Sequence, residues 1–326
     1  MPPIRKRTLG QTGIEISEVG FGSCFIRAGR NERDQGIRAA QRALELGVNY
    51  IDTAPFYGDS QELLGEALDG RGETYVLGTK CGRWDWETGP HRDLDAFKSQ
   101  FEKTLHNLRR DTVDILYIHE ADWAVFWEDQ PIPRSTRLID ASRSYDFAGA
   151  PVVEFLDWAK SQGLTRHFGI SGNNAHLLAK VLRESDIGID VVLVAFQYSL
   201  IWRNACEHLL PVAKELGVGV VLGTPFQQGR LSVPKTEWLE EQPQWMDSDT
   251  HERFTQLYRI QEESGLSLAE LGLRFILADQ DFDCVLTGAS NEGEMEANVG
   301  CSRSGPLPAD LHKKLEGLGK VFKNPN

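Results

Sequence analysis

The sequence predicts an α/β fold, a (β/α)8 TIM barrel, and three observations support this prediction. Eight short apolar or β-branched runs of strand length recur along the chain, at 19–22, 48–53, 74–79, 113–119, 166–171, 191–197, 218–224 and 283–289. Most of these runs are unbroken rather than alternating, which is typical of parallel strands buried on both faces. Segments with helical spacing lie between them, and 326 residues suit one such barrel. We therefore expect residues 1–326 to form a single domain.

The helical segments are predicted from apolar residues that recur every three or four positions. The clearest of them, 34–46, is followed by Gly47, a residue suited to the left-handed turn that ends a helix. The other predicted helices span 61–68, 94–108, 152–160, 175–183 and 205–216. An open, doubly wound sheet is the alternative fold, but the GxGxxG fingerprint that would favour it does not follow the first strand.

Two features interrupt the alternation of strands and helices. Before the first barrel strand, the run RTLGQTGIEIS predicts two short strands around a turn at 11–13, a hairpin that would close the barrel floor. Longer insertions follow the fourth and seventh strands, at 120–150 and 227–250. Both insertions begin at carboxyl ends of strands, where barrel enzymes place their active sites. We expect both to lie beside the active site.

The composition argues against several classes of protein. A formal net charge of −13 disfavours nucleic-acid binding, which depends on Lys and Arg at the phosphates. The apolar runs are far shorter than the ~20 residues that cross a bilayer, and no signal-peptide core follows the N-terminus. The five cysteines are widely spaced and form no CxxC pair, which favours a reducing compartment. We expect a cytoplasmic protein that acts on a small molecule and binds neither nucleic acid nor membrane.

Four polar residues fall at or just after the ends of consecutive predicted strands. Asp52 ends the second strand and Tyr57 lies five residues further on, while Lys80 and His119 end the third and fourth. Neighbouring strands are about 4.8 Å apart, so these side chains can meet. A buried Asp and Lys need to pair, and a lysine that touches the tyrosine hydroxyl would lower its pKa from about 10. We predict that Tyr57 is a general acid and that His119 donates to the substrate or relays its proton.

The segments that carry these residues, GVNYIDTAPFYG, LGTK and ILYIH, resemble those of the aldo-keto reductases, which have an Asp, Tyr, Lys and His tetrad. The resemblance extends over nearly the whole chain, through GISGNN at 169–174, FQYSL at 196–200, TPFQQG at 224–229 and TGAS at 287–290. It implies hydride transfer between a nicotinamide cofactor, NAD(P)(H), and a carbonyl carbon. Tyr57 would protonate the developing alkoxide in reduction and accept that proton in oxidation.

The resemblance also implies a cofactor site. Ser171 and Gln197 match the positions that hydrogen-bond the nicotinamide carboxamide. The family often has Asn after this serine and an aromatic residue before the next loop, whereas this chain has Gly172 and Gly223, so Asn173 is a candidate for the second carboxamide contact. The other residues expected at the cofactor are Gly22, Ser23, Thr224, Phe226, Gly229, Gly288, Ser290, Glu294 and Asn298.

The adenosine end of this site bears on the choice of cofactor. Many NADPH-using members of the family have Arg, Lys or Gln where this chain has Gly288 and Glu294. A carboxylate would repel a 2′-phosphate, but it could accept a hydrogen bond from a ribose 2′-hydroxyl. We therefore expect a preference for NAD(H).

Aromatic and acidic residues in the loops after the third and fourth strands indicate the kind of substrate. The expected substrate contacts are Trp84, Trp86, Trp123 and Trp127. Aromatic faces suit sugar rings, and the layout resembles the sugar-dehydrogenase branch of the family, so an aldose is the first choice.

Two other functions remain open at this point: a cofactor-binding regulatory protein, similar to the ion-channel β subunits that share the fold, and a Schiff-base lyase that uses Lys80. No second histidine lies at ligand spacing near His119, so we expect no metal.

Overall fold

A closed barrel of eight parallel strands forms the centre of the protein in a computed structural model, which describes residues 2–30, 32–71, 75–85, 88–129, 132–133 and 137–322. The strands are β1 (Lys6–Thr8), β2 (Glu15–Ser17), β3 (Val19–Gly22), β4 (Tyr50–Asp52), β5 (Val76–Cys81), β6 (Val113–Ile118), β7 (Thr165–Gly172), β8 (Val191–Ala195), β9 (Gly219–Gly223) and β10 (Cys284–Thr287). β3 to β10 pair in chain order, and β10 also pairs with β3. The predicted TIM barrel is confirmed, and each of the eight predicted runs contributes one strand.

The N-terminal hairpin covers the amino end of the barrel, as predicted. β1 pairs antiparallel with β2, and the Leu9 N–H donates to the Ile14 carbonyl across the turn at 2.9 Å. Leu9 and Ile16 are fully buried against side chains that point into the barrel, among them Tyr50, Ile115 and Val191. The Gly10 N–H donates to Asp283 at 3.1 Å, which ties the turn to the chain just before β10. The hairpin thereby shields the apolar interior from water at the floor.

Helices surround the barrel and bury its outer face. They are α1 (Arg33–Glu45), α2 (Ser60–Ala67), α3 (Leu94–Leu108), α4 (Pro151–Ser161), α5 (Ala175–Glu184), α6 (Asn204–His208), α7 (Leu210–Leu216), α8 (Glu237–Glu240), α9 (Ser248–Ser264), α10 (Leu268–Leu277), α11 (Glu292–Ser304) and α12 (Ala309–Glu316). None of these helices, as far as the chain is described, is long and apolar enough to cross a membrane.

The helix predicted over 205–216 is present but is divided in two at Leu209. The segment breaks after His208, and Pro211 stands in the first turn of α7. Proline has no N–H to donate and clashes with the preceding turn in a helix interior, whereas it is tolerated in a first turn. The left-handed Gly217 then ends α7, as the sequence predicts.

Two tyrosines below the mouth, the carboxyl end of the barrel, fill the interior. The hydroxyls of Tyr50 and Tyr117 lie 2.7 Å apart, and both side chains are fully buried. A Cβ on Gly169 would lie 2.3 Å from Tyr117, so only glycine leaves room for that ring. A packed interior of this kind fixes the strand ends that carry the polar residues above it.

Candidate active site

The ion pair between Asp52 and Lys80 lies at the carboxyl ends of β4 and β5. Lys80 Nζ is 2.5 Å from Asp52 Oδ1 and donates to the Thr53 carbonyl at 2.9 Å. Both charged side chains are almost fully buried. Asp52 Oδ2 has no hydrogen-bond partner among the described residues. The pair therefore holds the lysine in one position and leaves one carboxylate oxygen with unused acceptor capacity.

Tyr57 and His119 lie against this pair, so the structure brings the four predicted catalytic residues together. The Tyr57 N–H donates to the Ala54 carbonyl at 3.0 Å, which turns the chain back over the barrel after β4. Lys80 Nζ is 5.0 Å from the centre of the Tyr57 ring. The Tyr57 and His119 rings are perpendicular, with centroids 5.8 Å apart. A phenol, an ammonium and an imidazole thus lie close together at the mouth.

The expectation that Lys80 brings the pKa of Tyr57 below its ordinary value is wrong in its net sign. Burial raises the pKa of Tyr57 and Lys80 lowers it by less, so that the pKa is raised to about 12. Burial by itself would lower the pKa of Lys80, but Asp52 and then Tyr57 reverse this effect, and the pKa of Lys80 is raised. At neutral pH the cluster therefore holds a neutral phenol beside a charged ammonium.

His119 is a neutral imidazole at neutral pH. Burial holds its pKa well below the ordinary value, and the charges of Lys80 and Arg83 lower it further. Its Nδ1 atom is buried and has no partner in the part of the chain that the structure describes. A neutral imidazole can donate one hydrogen bond and accept another, which suits either role predicted for this residue.

A cleft of about 520 Å³ opens from the tetrad towards α11. Asp52 and Tyr57 line its inner end. Of the residues predicted to contact a cofactor, those that line it are Gly22, Thr224, Phe226, Gly229, Gly288, Ser290, Glu294 and Asn298. Its volume lies within the ordinary range for ligand pockets. Ser23 is instead buried, with its hydroxyl 3.3 Å from that of Ser60.

The predicted carboxamide contacts lie beside the tetrad on β7 and just after β8. The Ser171 hydroxyl is 3.3 Å from the Ile118 carbonyl, and Gln197 Oε1 accepts weakly from the Ala175 N–H at 3.4 Å. Gln197 Nε2 is buried with no partner within the described ranges. This donor can pair with an acceptor from a ligand such as a carboxamide. Asn173 uses its amide to donate to Glu120 at 3.2 Å.

Of the two glycine departures from the family pattern, Gly172 has a local steric cause, and Gly223 has only a tight contact. A Cβ on Gly172 would lie 2.8 Å from Oδ1 of Asp122, a buried carboxylate that accepts from the Asn173 and Asn174 N–H groups at 2.9 Å. Burial raises the pKa of Asp122 to about 7. At the other position, a Cβ on Gly223 would lie 3.3 Å from Leu193. The Asp122 carboxylate thus occupies the space that a larger residue would need at position 172, whereas at position 223 Leu193 would have to move by only a few tenths of an ångström.

At the outer end of the cleft, Gly288 is required by packing. A Cβ there would lie 2.4 Å from the ring of Phe25, which also lines the cleft. Glu294 is exposed and its carboxylate accepts from the backbone and hydroxyl of Ser290 at 2.8 and 2.9 Å. Arg30 lies over Phe25, 5.4 Å from the ring centre. A carboxylate and a guanidinium therefore both lie near this end of the cleft.

The predicted substrate tryptophans lie in different places. Trp127 is buried against Phe147 and donates its indole N–H to the Ala121 carbonyl at 2.8 Å, so it belongs to the core. Trp84 packs edge-on against Phe97. Trp123 lies closest to the mouth residues, beneath the guanidinium of Arg83. Trp86 lies outside the described residues.

The sequence reasoning missed two residues at the mouth, Phe56 and Arg83. Phe56 precedes Tyr57 and is 47% exposed, with its ring 6.5 Å from that of His119. Arg83 lies 4.1 Å from the centre of the Phe56 ring. Their positions beside Tyr57 and three residues after Lys80 are the signals in the sequence that pointed to the mouth.

Comparison with known proteins identifies the family. Residues 18–320 match the sequence profile of the Aldo/keto reductase family. Curated relatives include the L-galactose dehydrogenase of Arabidopsis thaliana, 28% identical over 92% of this chain and 88% of that protein. They also include the D-threo-aldose 1-dehydrogenase of Pseudomonas sp, 24% identical over 93% of this chain and 94% of that protein.

Among solved structures, the holo form of the aldo-keto reductase AKR11C1 from Bacillus halodurans superposes with a TM-score of 0.73. It is 24% identical, and the match covers 99% of each chain, so this likeness concerns the fold. The family profile covers nearly the whole sequence and takes in all four tetrad residues. This chain belongs to the aldo-keto reductase family.

Proposed function

We propose that this protein is an NAD(P)(H)-dependent oxidoreductase acting on the carbonyl or hemiacetal carbon of a small polar substrate, with Tyr57 as the general acid and base. The observation that carries the proposal is the cluster formed by the half-buried Tyr57 with the buried Lys80, Asp52 and His119 at the inner end of an open cleft. The dinucleotide, when bound, would supply or accept the hydride. The residues of the chain bind it, exclude water and move the proton.

The tetrad suits proton transfer to and from a substrate oxygen. In reduction, the Tyr57 hydroxyl gives its proton to the oxygen of the carbonyl group, and His119 donates a hydrogen bond to the same oxygen. Lys80, held by Asp52, stabilises the phenolate that remains. In oxidation the phenolate takes the proton back. With a pKa of about 12, Tyr57 is ready to donate at neutral pH without a preceding ionisation.

The residues present fit a nicotinamide dinucleotide. Gln197 has a buried amide donor without a partner among the described residues, and a carboxamide oxygen would satisfy it. The cleft runs from the tetrad past the loop after β9 to the start of α11, and eight of the predicted cofactor residues line it. We propose that Ser171 and Gln197 hold the carboxamide and that the residues from 288 to 298 hold the adenosine.

We propose NAD(H) as the preferred cofactor, because Glu294 places a carboxylate at the adenosine end of the cleft. A 2′-phosphate there would be repelled. Arg30, stacked over Phe25, is the cation that opposes this effect. One relative supports NADH use in part of the family: the NADH-specific methylglyoxal reductase of Escherichia coli (strain K12), 25% identical over 91% of this chain and 93% of that protein.

We propose an aldose as the substrate. Two relatives at low identity are named for the oxidation of galactose and of threo-aldoses. The polar and aromatic side chains at the mouth suit a hydroxylated ring.

The five cysteines are free, which supports a reducing compartment such as the cytoplasm.

The two competing functions meet specific obstacles in the site. A Schiff-base lyase needs a neutral lysine amine, whereas the pKa of Lys80 is raised by Asp52 and Tyr57 and the ammonium is bound at 2.5 Å. A regulatory protein without turnover does not need the phenol of Tyr57, the ammonium of Lys80 and the imidazole of His119 close together. Turnover with a sugar would exclude the regulatory function.

The test follows nicotinamide absorbance at 340 nm with NAD and NADP against a panel of aldoses and simple aldehydes. We expect Tyr57→Phe to lower kcat/KM by about 10²–10⁴-fold, the usual contribution of a positioned acid. Tyr75→Phe, at the opposite end of the barrel, is the matched control and should keep wild-type activity. Full turnover by Tyr57→Phe would exclude the mechanism. Dinucleotide binding without turnover of any substrate would favour the regulatory function.

A further inference from the structure

Arg83 stands at the centre of a group of side chains on the mouth of the barrel. This group, the rim cluster, comprises Phe56, Arg83, Glu120, Trp123 and Asn173. The guanidinium carbon of Arg83 lies 4.1 Å from the centre of the Phe56 ring and 5.3 Å from that of Trp123. Its Nη1 forms an ion pair with Glu120. The Arg83 side chain remains 25% exposed, so solvent or a ligand can reach it.

The rim cluster adjoins the atoms proposed to react. Phe56 directly precedes Tyr57, and its ring is perpendicular to that of His119 with the centroids 6.5 Å apart, while Glu120 directly follows His119. The charge of Arg83 also contributes to the low pKa of His119, which places the guanidinium within electrostatic reach of the imidazole. A substrate whose oxygen meets Tyr57 and His119 would bring its next carbon atoms towards this cluster.

Glu120 fixes the position of Arg83. It is 5% exposed, and its Oε1 accepts from Asn173 at 3.2 Å as well as from Arg83. Its backbone has φ 61°, a left-handed conformation that is uncommon for a residue with a side chain and is found at functional sites. Its other carboxylate oxygen is buried and, in the described part of the chain, has no partner. The carboxylate thus fixes the guanidinium through one of its two oxygens.

The guanidinium keeps donors available for a ligand. An arginine has five N–H donors in a planar fork, and among the described residues the hydrogen bonds of Arg83 go to Glu120 alone. Stacking on Phe56 and Trp123 orders the planar group in advance, so little conformational freedom is lost on binding. A fixed fork of this kind recognises a pair of oxygens with defined spacing.

The charge of the rim cluster indicates which oxygens are recognised. Glu120 offsets the positive charge of Arg83, and His119 is neutral at neutral pH. Lys80 is likewise offset by Asp52. Because Arg83 and Lys80 each have their own carboxylate, they offer hydrogen-bond donors without excess positive charge. This balance favours neutral hydroxyl groups over a substrate carboxylate.

We propose that Arg83 determines substrate specificity, by donating hydrogen bonds to the hydroxyl group on the carbon next to the reacting carbonyl. The proposal rests on the function proposed above and narrows it to neutral 2-hydroxyaldehydes, the class that contains the aldoses. Glu120 is a positioning residue, which acts through Arg83. Phe56 and Trp123 supply the stacking faces.

The test compares two aldehydes that differ by one hydroxyl, 2-hydroxypropanal and propanal. In the wild type, kcat/KM should favour 2-hydroxypropanal. In Arg83→Leu this ratio should fall by about 10–100-fold, the range expected for hydrogen bonds to a charged group. Arg110→Leu is the matched control, since Arg110 stacks on Tyr75 at 5.2 Å at the floor end, and it should leave the ratio at the wild-type value.

A second variant separates a positioning role from a merely structural one. Glu120→Gln keeps the shape of the side chain but leaves the charge of Arg83 without its carboxylate. The ratio of kcat/KM for glyoxylate, an anionic aldehyde, to that for 2-hydroxypropanal should rise at least fivefold. Loss of folding alone would lower both rates and leave this ratio unchanged. An unchanged ratio in Glu120→Gln, or an unchanged 2-hydroxypropanal ratio in Arg83→Leu, would overturn the proposal.

A binding measurement distinguishes failure of this proposal from failure of the proposed function. Propane-1,2-diol and propan-1-ol are titrated against the full chain with dinucleotide present, and tryptophan fluorescence reports binding because Trp123 lies beside Arg83. If no aldehyde is turned over but the diol binds better than propan-1-ol only when Arg83 is present, the proposed function fails while the recognition by Arg83 stands. Equal binding of the two alcohols by wild type and Arg83→Leu would exclude that recognition.

Discussion

The two ends of the barrel differ in how far their buried polar groups are paired. At the floor, the buried carboxylate of Glu18 pairs with Arg5 at 2.7 Å and Arg7 at 3.1 Å and accepts from the Ser302 hydroxyl at 2.6 Å. At the mouth, five buried polar atoms have no partner among the described residues. They belong to Asp52, His119, Glu120, Asp122 and Gln197.

The contrast indicates what each end is for. An unpartnered buried polar atom costs about 1–3 kcal/mol, so several of them together are unfavourable unless something else is gained. The floor satisfies its carboxylates and contributes stability. The mouth keeps unsatisfied groups that a ligand can satisfy, in agreement with the location of active sites at the carboxyl ends of barrel strands.

The first prediction tests whether the floor contributes to stability and the mouth to activity. Glu18→Gln should lower the free energy of unfolding by about 3 kcal/mol, because the arginines at the floor lose a buried counter-charge. We expect kcat/KM to stay within threefold of wild type, in contrast to Tyr57→Phe. Denaturant unfolding and the 340 nm assay measure the two effects. Glu66→Gln, at an exposed pair with Arg33, is the control and should change neither quantity. Loss of activity at unchanged stability in Glu18→Gln would refute this division.

The second prediction concerns pH at the mouth. Burial and Asp52 raise the pKa of Tyr57 while Lys80 lowers it, and the outcome of about 12 leaves the phenol protonated at neutral pH. Reduction, which needs the protonated form, should show no loss from Tyr57 below about pH 11. Oxidation needs the phenolate, so kcat/KM should rise about tenfold per pH unit from pH 7 to 10.

Deuterium substitution at the transferred hydrogen checks that the chemical step limits these rates. The neighbouring groups keep their charge over this range, since Lys80 has a raised pKa and His119 is already neutral. A plateau in the oxidation rate between pH 7 and 9 would contradict the prediction, and would mean that the phenol ionises more easily than its burial indicates.

The third prediction has the smallest expected effect and concerns the exposed end of the cleft. Glu294→Arg should shift the ratio of kcat/KM for NADP to that for NAD upward by about three- to tenfold, since solvent screens an exposed charge. Arg30→Ala should shift the ratio the other way. An unchanged ratio in Glu294→Arg would remove the basis for the NAD(H) preference.

The sequence predicted the parts of the molecule that depend on local pattern. All eight strands were located because parallel strands buried on both faces leave unbroken apolar runs, and Gly217 marked a helix end. The tetrad was located because the ends of neighbouring parallel strands meet. Pro211 was the missed local signal, and it broke a predicted helix in two.

Other features depended on contacts between distant segments and could not be read from the chain. The reason for Gly172 is the carboxylate of Asp122, some 50 positions earlier, and the reason for Gly288 is the ring of Phe25. The pairing of Arg83 with Glu120 joins the loops after β5 and β6. The net pKa of Tyr57 depended on how deeply its hydroxyl is buried, a quantity that spacing does not report.

The sequence by itself thus determined the barrel and the placing of Asp52, Tyr57, Lys80 and His119 at its mouth, since strand periodicity and order fix both. Tertiary structure decided which loop residues reach that mouth: Phe56 and Arg83 do, whereas Trp127 enters the core. Loops carry no periodic pattern, so their side chains are placed by packing and ion pairing across the fold. For that reason the chemistry proposed for this protein follows from its strands, and its specificity follows from contacts that only the folded chain creates.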